Sequence, residues 1–228
     1  MSLFAIADLH LSIGSDKPMD VFSGWQDYAN RLDKWWRNLV KTTDTVVIPG
    51  DISWGIDLSE AKEDLLYIDS LPGCKVIIKG NHDYWWPTQN KMNMFFQEYG
   101  IKTIIPLYHN AVGIEDTAIC GTRSWFYEEG SIDNKVYRRE LQRLKMSLES
   151  AKSLELDEII SFLHYPPIFG EYIYDEFINL MVEYGVKRCY YGHLHGNSIN
   201  NAFNGVYKGI QFRLTSADSL HFCPLFIK

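Results

Sequence analysis

Five short apolar runs in this chain each lead directly into histidine, aspartate or asparagine. Leu3–Ala7 is followed by Asp8-Leu9-His10, Thr45–Pro49 by Gly50-Asp51, and Cys74–Lys79 by Gly80-Asn81-His82-Asp83. Further along, Glu158–Leu163 runs into His164-Tyr165-Pro166-Pro167, and Lys187–Tyr191 into Gly192-His193-Leu194-His195. The runs are rich in Val, Ile, Phe or Tyr and have the length of buried strands. In open α/β sheets, ligands gather just beyond the carboxyl ends of strands. Five such ends presenting His, Asp or Asn predict one shared site.

The segments between the runs predict the rest of the architecture. Tyr28–Val40 repeats Tyr28, Leu32, Trp35, Trp36 and Leu39 at helical spacing. Leu58–Ser70 does the same with Ala61, Leu65 and Ile68, and Asp57 with Glu60 three residues on marks its start. Thr88–Tyr99, Val136–Leu154 and Asp175–Tyr184 complete the helices, and Thr117–Gly121 adds a sixth strand. Strands alternating with helices predict an α/β fold with parallel pairing near its centre. From Gly205 onward, Val206–Thr215 and Leu220–Ile227 read as hairpin strands without helices. With no Pro/Gly/Ser-rich linker, repeat or charge block, residues 1–228 are expected to form a single domain.

The donor types limit what the site can hold. Asp8, His10, Asp51, Asn81, His164, His193 and His195 offer carboxylate, imidazole and amide donors and no thiolate, which suits Mn, Fe, Zn, Co or Ni. Seven donors exceed one tetrahedral zinc but suit two ions sharing a carboxylate. Five of the seven histidines fall in these motifs; His109 and His221 do not and are read as structural.

Composition narrows the partners. The net charge is −7 with no run of Lys or Arg, which argues against a general nucleic-acid binder or a protein held on anionic membranes. Cys74, Cys120, Cys189 and Cys223 form no C-x-x-C pair, so a zinc ribbon or disulfide scaffold is not expected. No stretch approaches the ~20 apolar residues of a membrane span. The start Met1-Ser2-Leu3-Phe4-Ala5-Ile6-Ala7-Asp8 does not read as a secretion signal, so a soluble, cytoplasmic protein is expected.

Taken in order, Asp-x-His, Gly-Asp, Gly-Asn-His-Asp, His and Gly-His-x-His, running from Asp8 to His195, resemble the calcineurin-like metallophosphoesterases, a superfamily that includes bacterial phosphohydrolases. The resemblance implies a four-layer α/β/β/α sandwich with mixed sheets around two divalent ions, manganese being the one expected to support activity. It implies that Asp8, His10, Asp51 and His195 bind one ion and that Asn81, His164 and His193 bind the other, with Asp51 bridging. His82 would lie close to the substrate's phosphate as an acid catalyst, oriented by Asp83. The implied reaction is in-line attack on phosphorus by a hydroxide shared between the ions.

Other residues bear on the substrate. Trp54, Trp85, Trp86 and Trp125 could wall the mouth of the site or pack the loops, and Arg123 could fork onto a phosphate oxygen. The acidic, aromatic stretch Trp125–Asn134 is the candidate lid or specificity loop. Gly50-Asp51-Ile52-Ser53-Trp54-Gly55 lacks the Asp-Arg-Gly of protein phosphatases, and the motifs look more like the bacterial phosphodiesterase branch. A small phosphomono- or phosphodiester is the expected substrate. A nuclease of the same superfamily is the alternative enzyme, disfavoured because no basic cluster is visible for a long polyanion. A catalytically silent protein-binding scaffold is the alternative outside enzymes, although such a scaffold would be expected to have lost ligands.

Overall fold

The computed structural model describes residues 1–125 and 134–228, so most of the Trp125–Asn134 stretch, residues 126–133, lies outside the described residues. Two sheets stack face to face. The first has the order β13-β1-β2-β3-β4, from β1 (Leu3–Ala5), β2 (Thr45–Pro49), β3 (Cys74–Ile78), β4 (Ile104–Pro106) and β13 (Leu225–Phe226). The second has the order β11-β12-β10-β7-β6-β5. It consists of β5 (Ala111–Ile114), β6 (Thr117–Thr122), β7 (Glu158–Leu163), β10 (Arg188–Tyr191), β11 (Gly205–Tyr207) and β12 (Ile210–Leu214). A two-residue ribbon, β8 (Ile168–Phe169) with β9 (Tyr172–Ile173), stands apart.

Alternation along the strands sorts side chains into three separate cores. Leu3, Ala5, Val47, Val76 and Ile78 of the first sheet meet Ile119, Ile160, Phe162 and Tyr190 of the second. The opposite-pointing residues Phe4, Ile6, Val46, Ile48 and Ile77 pack under α1 (Tyr28–Leu39), α2 (Lys62–Ser70) and α3 (Gln89–Tyr99). Ala118, Cys120, Ile159, Leu163, Cys189 and Tyr191 pack under α4 (Asn134–Lys152) and α5 (Asp175–Glu183). A strand with both faces buried needs apolar residues at consecutive positions, which is why these runs are continuous rather than alternating. The result is the expected four-layer α/β/β/α sandwich with mixed sheets. No helix among the described residues is long and apolar enough to cross a membrane.

Three expectations change. Leu220–Ile227 is not a hairpin partner of the preceding strand: β13 leaves the second sheet and pairs antiparallel with β1, Phe4 opposite Phe226. Only the first half of that tail, β11 with β12, forms a hairpin. In α1, Tyr28, Leu32 and Trp36 are buried, but Trp35 and Leu39 stay 42% and 39% exposed. The i, i+4, i+8 line suffices to cover the sheet, and a residue one or three positions off it points to the rim. Finally, α2 begins at Lys62 because Asp57 first caps a separate turn, its Oδ1 accepting the amides of Ser59 and Glu60 at 2.9 and 3.0 Å.

Candidate metal centre

The seven candidate donors meet at one edge of the sandwich. The loops after β1, β2 and β3 bring Asp8, His10, Asp51 and Asn81 from the first sheet, and those after β7 and β10 bring His164, His193 and His195 from the second. The sheets are joined here, because Ala7 just beyond β1 pairs with Ser216 just beyond β12. Two donor groups form. Asp8, His10, Asp51 and His195 present ligand atoms within 4.8 Å of one another, and so do Asp51, His164 and His193. Asp51 belongs to both. The Asn81 Oδ1 lies 2.6 Å from His164 Nε2 and 3.0 Å from His193 Nδ1, and so joins the second group.

The backbone is bent to achieve this. Asp8, His10, Asp51 and His193 sit at φ of 59°, 43°, 52° and 73°, a region that costs a non-glycine residue of order 1–3 kcal/mol. Hydrogen bonds hold the turns: Asp8 N–H donates to Gly50 O at 2.9 Å, His10 N–H to Asp51 O at 3.0 Å, and His193 N–H to the Asp8 carboxylate at 2.9 Å. Glycine makes the close approaches possible. A Cβ on Gly80 would collide with the Asp51 carboxylate, and one on Gly192 would lie 2.5 Å from Asp8 Oδ2.

Electrostatics fit a cation site. Asp8 and Asp51 are buried, and burial, followed by the neighbouring Asp83 and Asp8, pushes the Asp51 carboxyl well above its ordinary range. Burial holds His164 and His193 down at about 3, so both are neutral with a lone pair to offer. His10 is likewise depressed by burial, then by His195. His195 goes the other way: burial opposes its charge, but Asp8 and Asp218 outweigh burial and raise it to about 10. Its Nε2 faces Asp8 Oδ1 at 3.4 Å and His10 Nε2 at 3.2 Å. A divalent cation binding at that atom would displace any proton it carries.

Outer contacts aim the rings. His164 Nδ1–H donates to Pro49 O at 3.0 Å, leaving Nε2 as the inward donor. Asp218 stands 3.4 Å from His195 Nδ1, the second-layer carboxylate that holds an imidazole tautomer in metal sites. The Tyr165 ring lies against His193 with centroids 3.9 Å apart, and Trp25 edges both His10 and His195 at 5.8 Å. Sequence reasoning missed Asp218, Trp25 and Tyr165. Asp218 carried a usable signal, since it follows the β12 run just as the other acids follow theirs.

The remaining candidates separate. The His82 ring lies at the rim, 4.5 Å from Trp54 and 5.6 Å from His10, while its backbone N–H donates to Asp51 Oδ1 at 2.8 Å. Trp54 stacks on His10 at 4.8 Å, so its ring backs a candidate ligand. Trp85 and Trp86 are largely buried in the core under α3. Trp125 packs toward α4 with Arg123 over its ring at 4.6 Å.

Asp83, expected to orient His82, holds the neighbouring loops. Its carboxylate accepts the amides of Gly80 (2.7 Å), Ile52 (2.8 Å), Asp51 (2.9 Å) and Ser53 (3.3 Å), and the Trp85 indole N–H at 3.0 Å. It is a clamp between the Asp51 and Asn81 loops. Each buried donor left unpaired costs about 1–3 kcal/mol, so Asp83→Ala should destabilise the fold by about 3–5 kcal/mol. Denaturant unfolding checks this; a loss below about 1 kcal/mol would remove the clamp.

The geometry has parallels among known proteins. A family model described as calcineurin-like phosphoesterase matches residues 1–197. A solved phosphopantetheinyl hydrolase from Mycobacterium tuberculosis superposes with TM-score 0.56 at 13% identity, covering 99% of this chain and 95% of that one. A protein of unknown function from Aquifex aeolicus gives 0.53 at 14% identity, with the same two coverages. At such identities these two structures speak for the fold alone. No curated protein sequence gives a match.

Proposed function

The chain belongs to the calcineurin-like phosphoesterase family, and from that premise we propose that it hydrolyses a small phosphomono- or phosphodiester with two divalent ions. One observation carries the reading: a single buried carboxylate, Asp51, is shared between two donor groups. Oxygen and nitrogen donors without thiolate suit Mn, Fe, Co, Ni or Zn, and manganese is our candidate for activity. When bound, such a pair of ions neutralises phosphate charge and makes hydroxide available near neutral pH.

The chain's own residues supply holding, aiming and proton transfer. Asp8, His10, Asp51 and His195 would hold one ion, and Asn81, His164 and His193, with Asp51, the other. Pro49 O and Asp218 keep the inward nitrogens of His164 and His195 facing the centre. His82, at the rim, would carry a proton on its ring and give it to the leaving oxygen. Trp54 keeps the His10 and His82 rings in place through its contacts with both.

The test is release of p-nitrophenol from bis-p-nitrophenyl phosphate and p-nitrophenyl phosphate. Hydrolysis should require added manganese and cease with chelator. Two ions bound with neither ester cleaved would end the reading in favour of a silent scaffold.

A further inference from the structure

The net charge of −7 conceals one strongly basic cavity. Lys79, Lys91, Arg123, Arg139 and Arg143 line a space of about 600 Å³ between α3, α4 and the ends of β3 and β6. Arg139 and Arg143 lie one turn apart on α4, but Lys79, Lys91 and Arg123 come from other segments, so no basic run announces this cluster, and the sequence-based expectation that there is no basic cluster does not hold. No carboxylate is among the lining residues described. One buried acid, Glu140, serves three of them: its Oε1 is 2.5 Å from Arg143, 3.6 Å from Arg123 and 3.8 Å from Arg139. One carboxylate for three guanidiniums, with two lysines besides, leaves a surplus of positive charge among the described residues. A cluster of like charges in a cleft focuses potential onto anions.

The cavity adjoins the metal centre without overlapping it. Lys79 immediately precedes Gly80-Asn81. On the other wall, Thr122 O and Arg123 O accept the amides of His164 and Tyr165 at 3.2 and 3.1 Å. None of the seven candidate donors lines the cavity.

We propose that this cavity is an anion subsite for a second phosphoryl group of the substrate, so that the molecule cleaved is a compact one bearing at least two phosphates. The word substrate rests on the phosphoesterase reading; the subsite itself does not. Guanidiniums form paired hydrogen bonds to phosphate oxygens, and the lysines add point charge. A pocket of this volume holds a small oligophosphate, not a nucleic-acid duplex.

Tripolyphosphate is the probe, titrated calorimetrically into the manganese-loaded protein with manganese in excess. Lys91→Ala with Arg139→Ala removes two exposed lining charges. Lys34→Ala with Lys152→Ala removes two exposed charges elsewhere and serves as the matched control. The cavity variant should bind tripolyphosphate about tenfold or more weakly, and the control within twofold of wild type. Equal weakening of both variants, no weakening of either, or no binding to wild type overturns the subsite. The two readings fail separately. Selective weakening without any ester hydrolysis by wild type sinks the phosphoesterase reading, whereas hydrolysis with unselective binding sinks the subsite.

Discussion

Asp51→Asn should empty both metal positions, lowering affinity at each by about a hundredfold or more. Asp51 Oδ2 lies 3.4 Å from His164 Nε2 and 3.7 Å from His10 Nε2, so one oxygen faces both donor groups. A carboxylate this buried is costly to charge, and burial with two acidic neighbours raises it well above its usual range. Cations offset that cost; a neutral amide removes the charge they answer and leaves Asp8 as the lone carboxylate donor. The amide keeps the shape and can still accept the His82 N–H, so the fold should survive. Metal analysis after dialysis should find two ions per wild-type chain and none in the variant. Two tightly held ions in an active variant would refute the bridging role.

His82→Ala should separate binding from turnover. Its backbone N–H, which steadies Asp51, is untouched by the substitution, so both ions should remain. The ring would be gone from the rim beside Trp54 and His10. Loss of a general acid lowers kcat by about 10²–10⁴. The loss should be smallest for p-nitrophenyl esters and grow for alkyl esters, whose leaving oxygens need the proton. A variant that loses its metals, or slows all esters equally, would show that the ring is not the proton donor.

Much of this layout is legible in the residues. A strand buried on both faces needs a continuous apolar run, and β2 and β7 begin and end where composition says they should. Residues after such runs share one sheet edge, so Asp8, Asp51, Asn81, His164 and His193 gather whatever the loop details. What escapes is set by tertiary geometry. Asp83 follows a histidine in sequence, yet its loop turns the carboxylate onto amides 30 to 32 residues earlier. The exposure of Trp35 depends on where the sheet ends beneath α1. The basic cavity draws on both sheets and two helices, and no local pattern encodes a meeting of that kind.

The return of β13 to β1 has a consequence for biosynthesis. Ala7, next to Asp8, donates to Thr215 O and accepts from Ala217 N–H, and β1 is flanked on one side by Leu225 and Phe226. The strand that leads into Asp8 is therefore completed by partners that come far later in the chain. Pairings of such sequence separation are slow to close and wait for the far partner. The strand leading into Asp8 gains these partners only once residues 215–226 have been made. Closure of the turn that carries Asp8 is thus a late event in folding rather than its nucleus.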